Sequence, residues 1–308
     1  MTYKQAQAAR VRGLIQAGAI FNGDPGGGLF NQTPYPFVLQ DAGNNLFAPS
    51  RQAVRDYMRE NKIAWWHGDL TGHTLSSQVA CLNHLFPVRE DRQAVLALVR
   101  QVCPAITDVL RIESDPYRPA FIQFEATSDA DHLNEIVTTR GQHCTSLDAL
   151  ILGVHRDGRR ILFPIEWKYV EVYGNENKAD GTRGATRRAR YTSLIDRSAQ
   201  LNSTCPGTCY FEPFYQLMRQ TLWAEEQIAH RDKETVQADD FIHVHVIPSS
   251  NRQLLYKRYP GGQGMEMTWR GCLRDQGKYV VIDPGALIAP LSGGPHDALF
   301  RYLDARYG

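Results

Sequence analysis

The chain has 308 residues, 43% hydrophobic and 22% charged, enough for one large α/β domain or a core domain with an appendage. Its 34 Lys and Arg against 33 Asp and Glu leave a formal net charge of +1. No global basic field therefore marks a nucleic-acid binder, and any such site must be a local patch. No stretch reaches the roughly 18 consecutive apolar residues of a membrane span, and the N-terminus lacks the apolar core of a secretory signal. With six mostly scattered cysteines, the expected setting is a reducing cytoplasm.

Residues 1 to about 75 are turn-rich. Gly23 to Gly28 and Asn31 to Pro36 break any periodic pattern, and the glycines at 26 to 28 lack the Gly-Lys-Ser/Thr ending of a phosphate loop. This region is expected to be an accessory layer on a core formed by residues 76–308. It contains one predicted helix, Arg51 to Asn61, with Ser50 as its N-cap.

Further along, Ser77 to Phe86 and Glu90 to Val102 read as helices; the second sets Val95, Leu98, Val99 and Val102 at helical spacing. Ala120 to Glu125 reads as a strand ending on a carboxylate. Leu147 to Val154 and Ile161 to Tyr169 read as a hairpin around Asp157-Gly158. Gly174 to Arg190 reads as a polar connection. A helix is predicted from Pro213 to His230, strands at Phe241 to Ile247 and Tyr279 to Ile282, and a closing helix from Pro295 to Tyr307.

The chemistry concentrates on the hairpin. Glu166 and Lys168 are two apart and share one strand face, so a cation held by Glu166 and the Lys168 ammonium could address one phosphate. Asp148 on the neighbouring strand could complete the cation's oxygen shell. Mg²⁺, or Mn²⁺ in its place, suits such a site because it needs few carboxylates and keeps several waters. Lys168 could orient or deprotonate the attacking water, or screen the developing charge. There is a condition. A strict two-residue turn would face Arg156 with Arg159 and Asp148 with Trp167, on the wrong side of the sheet. Asp148 meets Glu166 only through an odd-length loop or a β-bulge. The competing account is an edge hairpin with solvated charges.

Thr145-Ser-Leu-Asp-Ala-Leu-Ile151 followed by Pro164-Ile-Glu-Trp-Lys-Tyr169 resembles the core signature of the PD-(D/E)XK, or restriction-endonuclease-like, nuclease superfamily. The stretches GHTLSSQVACLNHLFPV and YFEPFYQLMRQTLWAEEQ extend the likeness over roughly residues 65 to 230. The resemblance implies an α/β fold with a mixed central sheet flanked by helices. It implies Asp148, Glu166 and the Trp167 carbonyl as metal ligands, Lys168 as the catalytic lysine, and Glu125 as an upstream acid that some members use. Leu147 stands where the motif has proline. The activity implied is Mg²⁺-dependent DNA hydrolysis in restriction or phage defence, with a homodimer or a partner protein. A non-catalytic nucleic-acid-binding protein on the same fold, and an RNase, remain the alternatives.

Lys178, Arg183, Arg187, Arg188 and Arg190 follow the hairpin and could contact phosphates; a solvated loop is the alternative. On the helix after Pro213, Gln216, Arg219 and Gln220 fall on one polar face, and Gln78 opens an earlier helix whose end could reach the site. Cys205 and Cys209 lack a second ligand pair for zinc, and His243 and His245 share a strand face and could bind metal, core or surface histidines being the commoner reading.

Overall fold

A computed structural model describes residues 1–65, 68–113, 119–136, 144–259 and 262–308. Helix α1 (Tyr3–Ala17) leads through a short hairpin, β1 (Leu29–Phe30) and β2 (Thr33–Pro34), to helices α2 (Arg51–Glu60), α3 (Ser77–Leu85) and α4 (Arg92–Val102). Strands β3 (Ile106–Leu110), β4 (Ile122–Ala126), β5 (Leu147–His155) and β6 (Arg160–Trp167) follow. Helices α5 (Gly181–Arg197) and α6 (Phe214–Ala229) precede strands β7 (Asp240–Phe241) and β8 (His243–Val246). The chain closes with α7 (Arg252–Leu255), α8 (Met265–Arg270), β9 (Tyr279–Ile282), α9 (Pro284–Ile288) and α10 (Asp297–Tyr307).

Seven strands form one mixed sheet. β3 and β4 both pair antiparallel with β5, and β5 pairs antiparallel with β6. Beyond β6 the pairing turns parallel: β7 and β8 share its far edge, and β9 lies beside β8. The α/β architecture with a mixed central sheet flanked by helices is the one expected.

Alternation along β5 and β6 sends side chains into two cores. Ala149, Ile151, Phe163, Ile165 and Trp167 face one side and pack with Tyr57, Val79, Leu82, Val95 and Leu303. Leu150, Leu152 and Leu162 face the other, against Tyr191, Leu194, Leu217 and Met218. Strands covered on both faces read as continuous apolar runs, which is why any charge inside them stands out. Val11, Ile15, Phe21 and Leu39, from the first 75 residues, belong to the same apolar cluster as sheet residues Phe124 and Trp167.

Several elements differ from the sequence expectations, each for a physical reason. Ser50 does not cap α2: its hydroxyl donates to the Phe47 carbonyl at 3.2 Å, because a 3₁₀ turn runs straight into the helix. The polar connection from Gly174 to Arg190 is in its second half helix α5. Gly184 there is no breaker; a Cβ on it would lie 2.0 Å from the Ala179 carbonyl oxygen, so close approach requires glycine. Strand Phe241 to Ile247 is split into β7 and β8, both on the edge of β6. Helix α1 was signalled by a capping box that turn-rich surroundings obscured: Thr2 Oγ1 accepts from the Gln5 N–H, and the Gln5 side chain accepts from the Thr2 N–H.

Candidate active site

The β5–β6 connection decides whether the acids meet. Ala149 pairs with Ile165 and Val154 with Arg160, and the His155 N–H donates to the Arg159 carbonyl at 2.9 Å. The loop is therefore three residues, Arg156 to Gly158, not two. Gly158 takes a left-handed φ of 89°, as the last residue of a three-residue hairpin loop requires. This odd loop continues the register to Asp148 opposite Glu166, and the two-residue alternative with Trp167 facing Asp148 does not occur.

The same register places Glu125 opposite Asp148 on β4, between the pairs Phe124–Ala149 and Ala126–Leu147. Glu125 itself has a left-handed φ of 49°, an uncommon conformation for a side chain of its size. Three carboxylates thus occupy one row across β4, β5 and β6. On the far side of Glu166, His245 continues the row on β8.

Burial, then the charges of Glu166 and Glu125, push the Asp148 carboxyl well above its usual range; Lys168 and the Trp167 N–H pull the other way. That N–H donates to Asp148 Oδ2 at 2.6 Å. Glu166 and Lys168 are both buried and form an ion pair through Glu166 Oε1. Burial alone would lower the Lys168 ammonium, but Glu166, with Tyr173, Glu171 and Asp148, raises it well above the usual lysine value.

Helix α6 roofs this face. Gln216 Oε1 accepts from Lys168 Nζ at 2.6 Å and from the Tyr173 hydroxyl at 3.4 Å. Gln220 Nε2 donates to Glu166 Oε2. From α3, Gln78 Nε2 donates to Glu125 Oε1 at 2.9 Å, and Ser146 Oγ donates to Glu125 Oε2 at 3.1 Å. The fold thus brings Asp148, Glu166, Lys168, Glu125, Gln78 and Gln216 together.

Other sequence candidates go elsewhere. Arg219 turns away to the buried Glu135, which also accepts from Thr145 Oγ1 at 2.7 Å and from the Tyr191 hydroxyl. It anchors α6 to the chain leading into β5. Arg187 donates to the Lys178 carbonyl at 2.9 Å and Arg188 to that of Ala179, while Lys178 pairs with Glu176. Arg183 and Arg190 make no side-chain ion pair among the described residues. With Arg187 they are spaced along one face of α5. Sequence reasoning left out Ser146, Tyr173 and Glu135, whose isolated polar characters carry no motif. It noted Gln220 and His243 without joining them.

The donor set suits a hard cation. Two facing carboxylates with a third beside them are oxygen ligands whose mutual repulsion a divalent ion relieves. Among the described residues, no three His, Cys, Asp or Glu side chains form a ready metal-binding group. An ion would therefore rest on Asp148, Glu166 and a backbone carbonyl such as that of Trp167, the sparse protein shell that Mg²⁺ tolerates. Elsewhere, Cys272 joins Cys205 and Cys209 in one apolar cluster, all as free thiols.

Sheet and site together define a restriction-endonuclease-like protein: antiparallel strands carry the acids, and parallel strands and α6 buttress them. The chain belongs to the family described as Restriction Endonuclease associating with ARP, whose model matches residues 16–308. That membership gives it a nuclease-related role. Searches of curated proteins and of solved structures returned no match. Among the described residues, no helix is long and apolar enough to cross a membrane.

Proposed function

We propose that the protein is a divalent-metal-dependent nuclease that hydrolyses DNA phosphodiester bonds, with residues 1–75 as an accessory layer on a nuclease domain of residues 76–308. The observation that carries this reading is Asp148 facing Glu166 across the hairpin, with Lys168 on the same face. Mg²⁺ bound there, or Mn²⁺ in its place, supplies Lewis-acid stabilisation of phosphate charge and lowers the pKa of a water. Asp148 and Glu166 hold it, with the Trp167 carbonyl as a third ligand, and Glu125 stands behind Asp148. Paired with Glu166, Lys168 orients the attacking water and neutralises charge on the phosphate. Gln216 fixes the ammonium. The basic face of α5, with Arg183, Arg187 and Arg190, gives the DNA backbone a contact surface beside the site.

The family's description names an association with ARP. We extend it to this chain as a partner protein, in a restriction or phage-defence setting, testable by co-purification of the two.

The activity test uses supercoiled plasmid, linear DNA and RNA with Mg²⁺, Mn²⁺ or a chelator, for wild type, Asp148→Asn and Lys168→Met. Metal-dependent DNA cleavage lost in both variants is expected. Cleavage unchanged in both removes the mechanism, and cleavage of RNA alone replaces the substrate. Divalent-independent DNA binding without cleavage favours the non-catalytic reading.

A further inference from the structure

We propose that His243, acting through Gln220, is a positioning residue of this centre: it orients the Glu166 carboxylate and so sets the affinity for a divalent cation. This rests on the reading of Asp148 and Glu166 as cation ligands.

An amide side chain has a donating end and an accepting end of nearly identical shape, so its surroundings must choose between them. Gln220 is 3% exposed and lies between two groups that make that choice. Its Nε2 donates to Glu166 Oε2, a carboxylate oxygen that can only accept, and lies 3.5 Å from the Ser146 carbonyl oxygen. Its Oε1 lies 2.8 Å from His243 Nε2. A carbonyl oxygen cannot donate, so His243 must carry its proton on Nε2.

His243 is 1% exposed, and burial lowers its pKa to about 4, so at neutral pH it holds a single ring proton. Its Nδ1 is then the acceptor and faces Thr221 Oγ1 at 3.5 Å. The polarity runs one way, from Thr221 to His243 to Gln220 to Glu166. Gln220 thereby ties three strands: β6 through Glu166, β8 through His243, and the entry to β5 through Ser146, two residues before Asp148.

Besides this bond the imidazole stands edge-on to the Tyr279 ring, 6.0 Å between centroids. It sits on β8 beside the buried Val244 and Val246, where an aliphatic side chain would bury more cheaply. With an aliphatic residue there, the buried Gln220 Oε1 loses its donor, and the amide that holds Glu166 Oε2 is no longer anchored at its far end. Groups that orient a metal ligand without touching the ion typically matter by about 10–100-fold in affinity.

The test is Mn²⁺ titration of the full chain, followed by the electron paramagnetic resonance of free Mn²⁺. The proteins are wild type, Asp148→Ala, His243→Leu, His243→Gln and Gln220→Met, each with a metal-free thermal melt. Wild type is expected to bind and Asp148→Ala to lose binding. His243→Leu and Gln220→Met should weaken binding by about 10–100-fold. His243→Gln keeps a donor near the Nε2 position and should bind close to wild type. A merely structural role would lower the melting temperature of both His243 variants and leave the affinity of folded protein unchanged. Binding abolished in Asp148→Ala but unaltered in both His243→Leu and Gln220→Met overturns the inference and leaves the site reading standing. No binding by wild type overturns both. Should His243→Leu not fold, His243→Gln against Gln220→Met decides it.

Discussion

Two aspartates in this molecule sit in opposite electrostatic company. Asp24, in the glycine-rich loop near the N-terminus, is surrounded by donors: the N–H groups of Gly26 at 2.9 Å, Gln40 at 3.0 Å and Asp41 at 2.9 Å. Burial alone would raise its pKa, but these bonds outweigh it and hold the carboxyl below its usual range. Asp148 is instead flanked by two other acids and is pushed up. A donor-satisfied carboxylate stabilises a fold. A carboxylate crowded by like charge costs stability and persists where a cation can use it. Asp24 is the more buried of the two by exposure, so burial alone does not mark the chemistry; the neighbours do.

The largest effect expected from this contrast is on activity. Asp148→Asn should cut the rate of metal-dependent cleavage by at least about 100-fold. Without metal the same change should raise stability by about 1 kcal/mol, since it removes repulsion with Glu166 and Glu125. Cleavage rates and thermal melts of one preparation test both; a variant less stable than wild type would break the contrast.

Arg306 belongs with Asp24 on the structural side. It is fully buried on α10 and donates to the Asn45 carbonyl and the Tyr302 hydroxyl, both at 2.6 Å, and to the Asn45 side chain. Arg306→Met should cost about 3 kcal/mol, measured by denaturant unfolding, with cleavage per folded molecule unchanged.

Asp24→Asn should cost about 1–2 kcal/mol at pH 7, because the amide cannot accept all three backbone donors. The pH dependence follows from the lowered pKa. The stabilisation is present above the ordinary carboxylate range and is lost as pH falls below about 4 through the folded-state value. Wild type should converge on the variant in that acid window. A gap that widens on acidification would reverse the assignment. The smallest effects belong to α5: Arg183→Ala and Arg190→Ala should each weaken DNA binding a few-fold and reduce the salt slope by about 1.

Much of the sheet was legible because its strands are buried on both faces. Apolar runs located β5 and β6, and Asp148 and Glu166 stood out as interruptions of them. The helices α3, α4, α6 and α10 were likewise visible in spacing and caps. Helix α5 was not, since its polar, glycine-bearing stretch reads as a connection until the contact of Gly184 with Ala179 supplies a reason for glycine. The partner of Arg219 was hidden for a related reason: its place on the polar face of α6 was visible, but Glu135, 84 residues away, was not identifiable as its partner.

The sequence by itself determined most helices and strands, because local periodicity and spacing encode their faces, and its resemblance to the restriction-endonuclease-like superfamily pointed to the class of fold and to Asp148, Glu166 and Lys168. Whether those acids meet hinged on one residue of loop length, which the dipeptide Asp157-Gly158 does not specify. Only the tertiary structure decided it, through the three-residue loop. It also decided which polar residues of α6 serve the site, since Gln216, Arg219 and Gln220 share a helix face but reach different partners. Such choices depend on side chains from strands far apart in the chain, and no spacing within one segment records them.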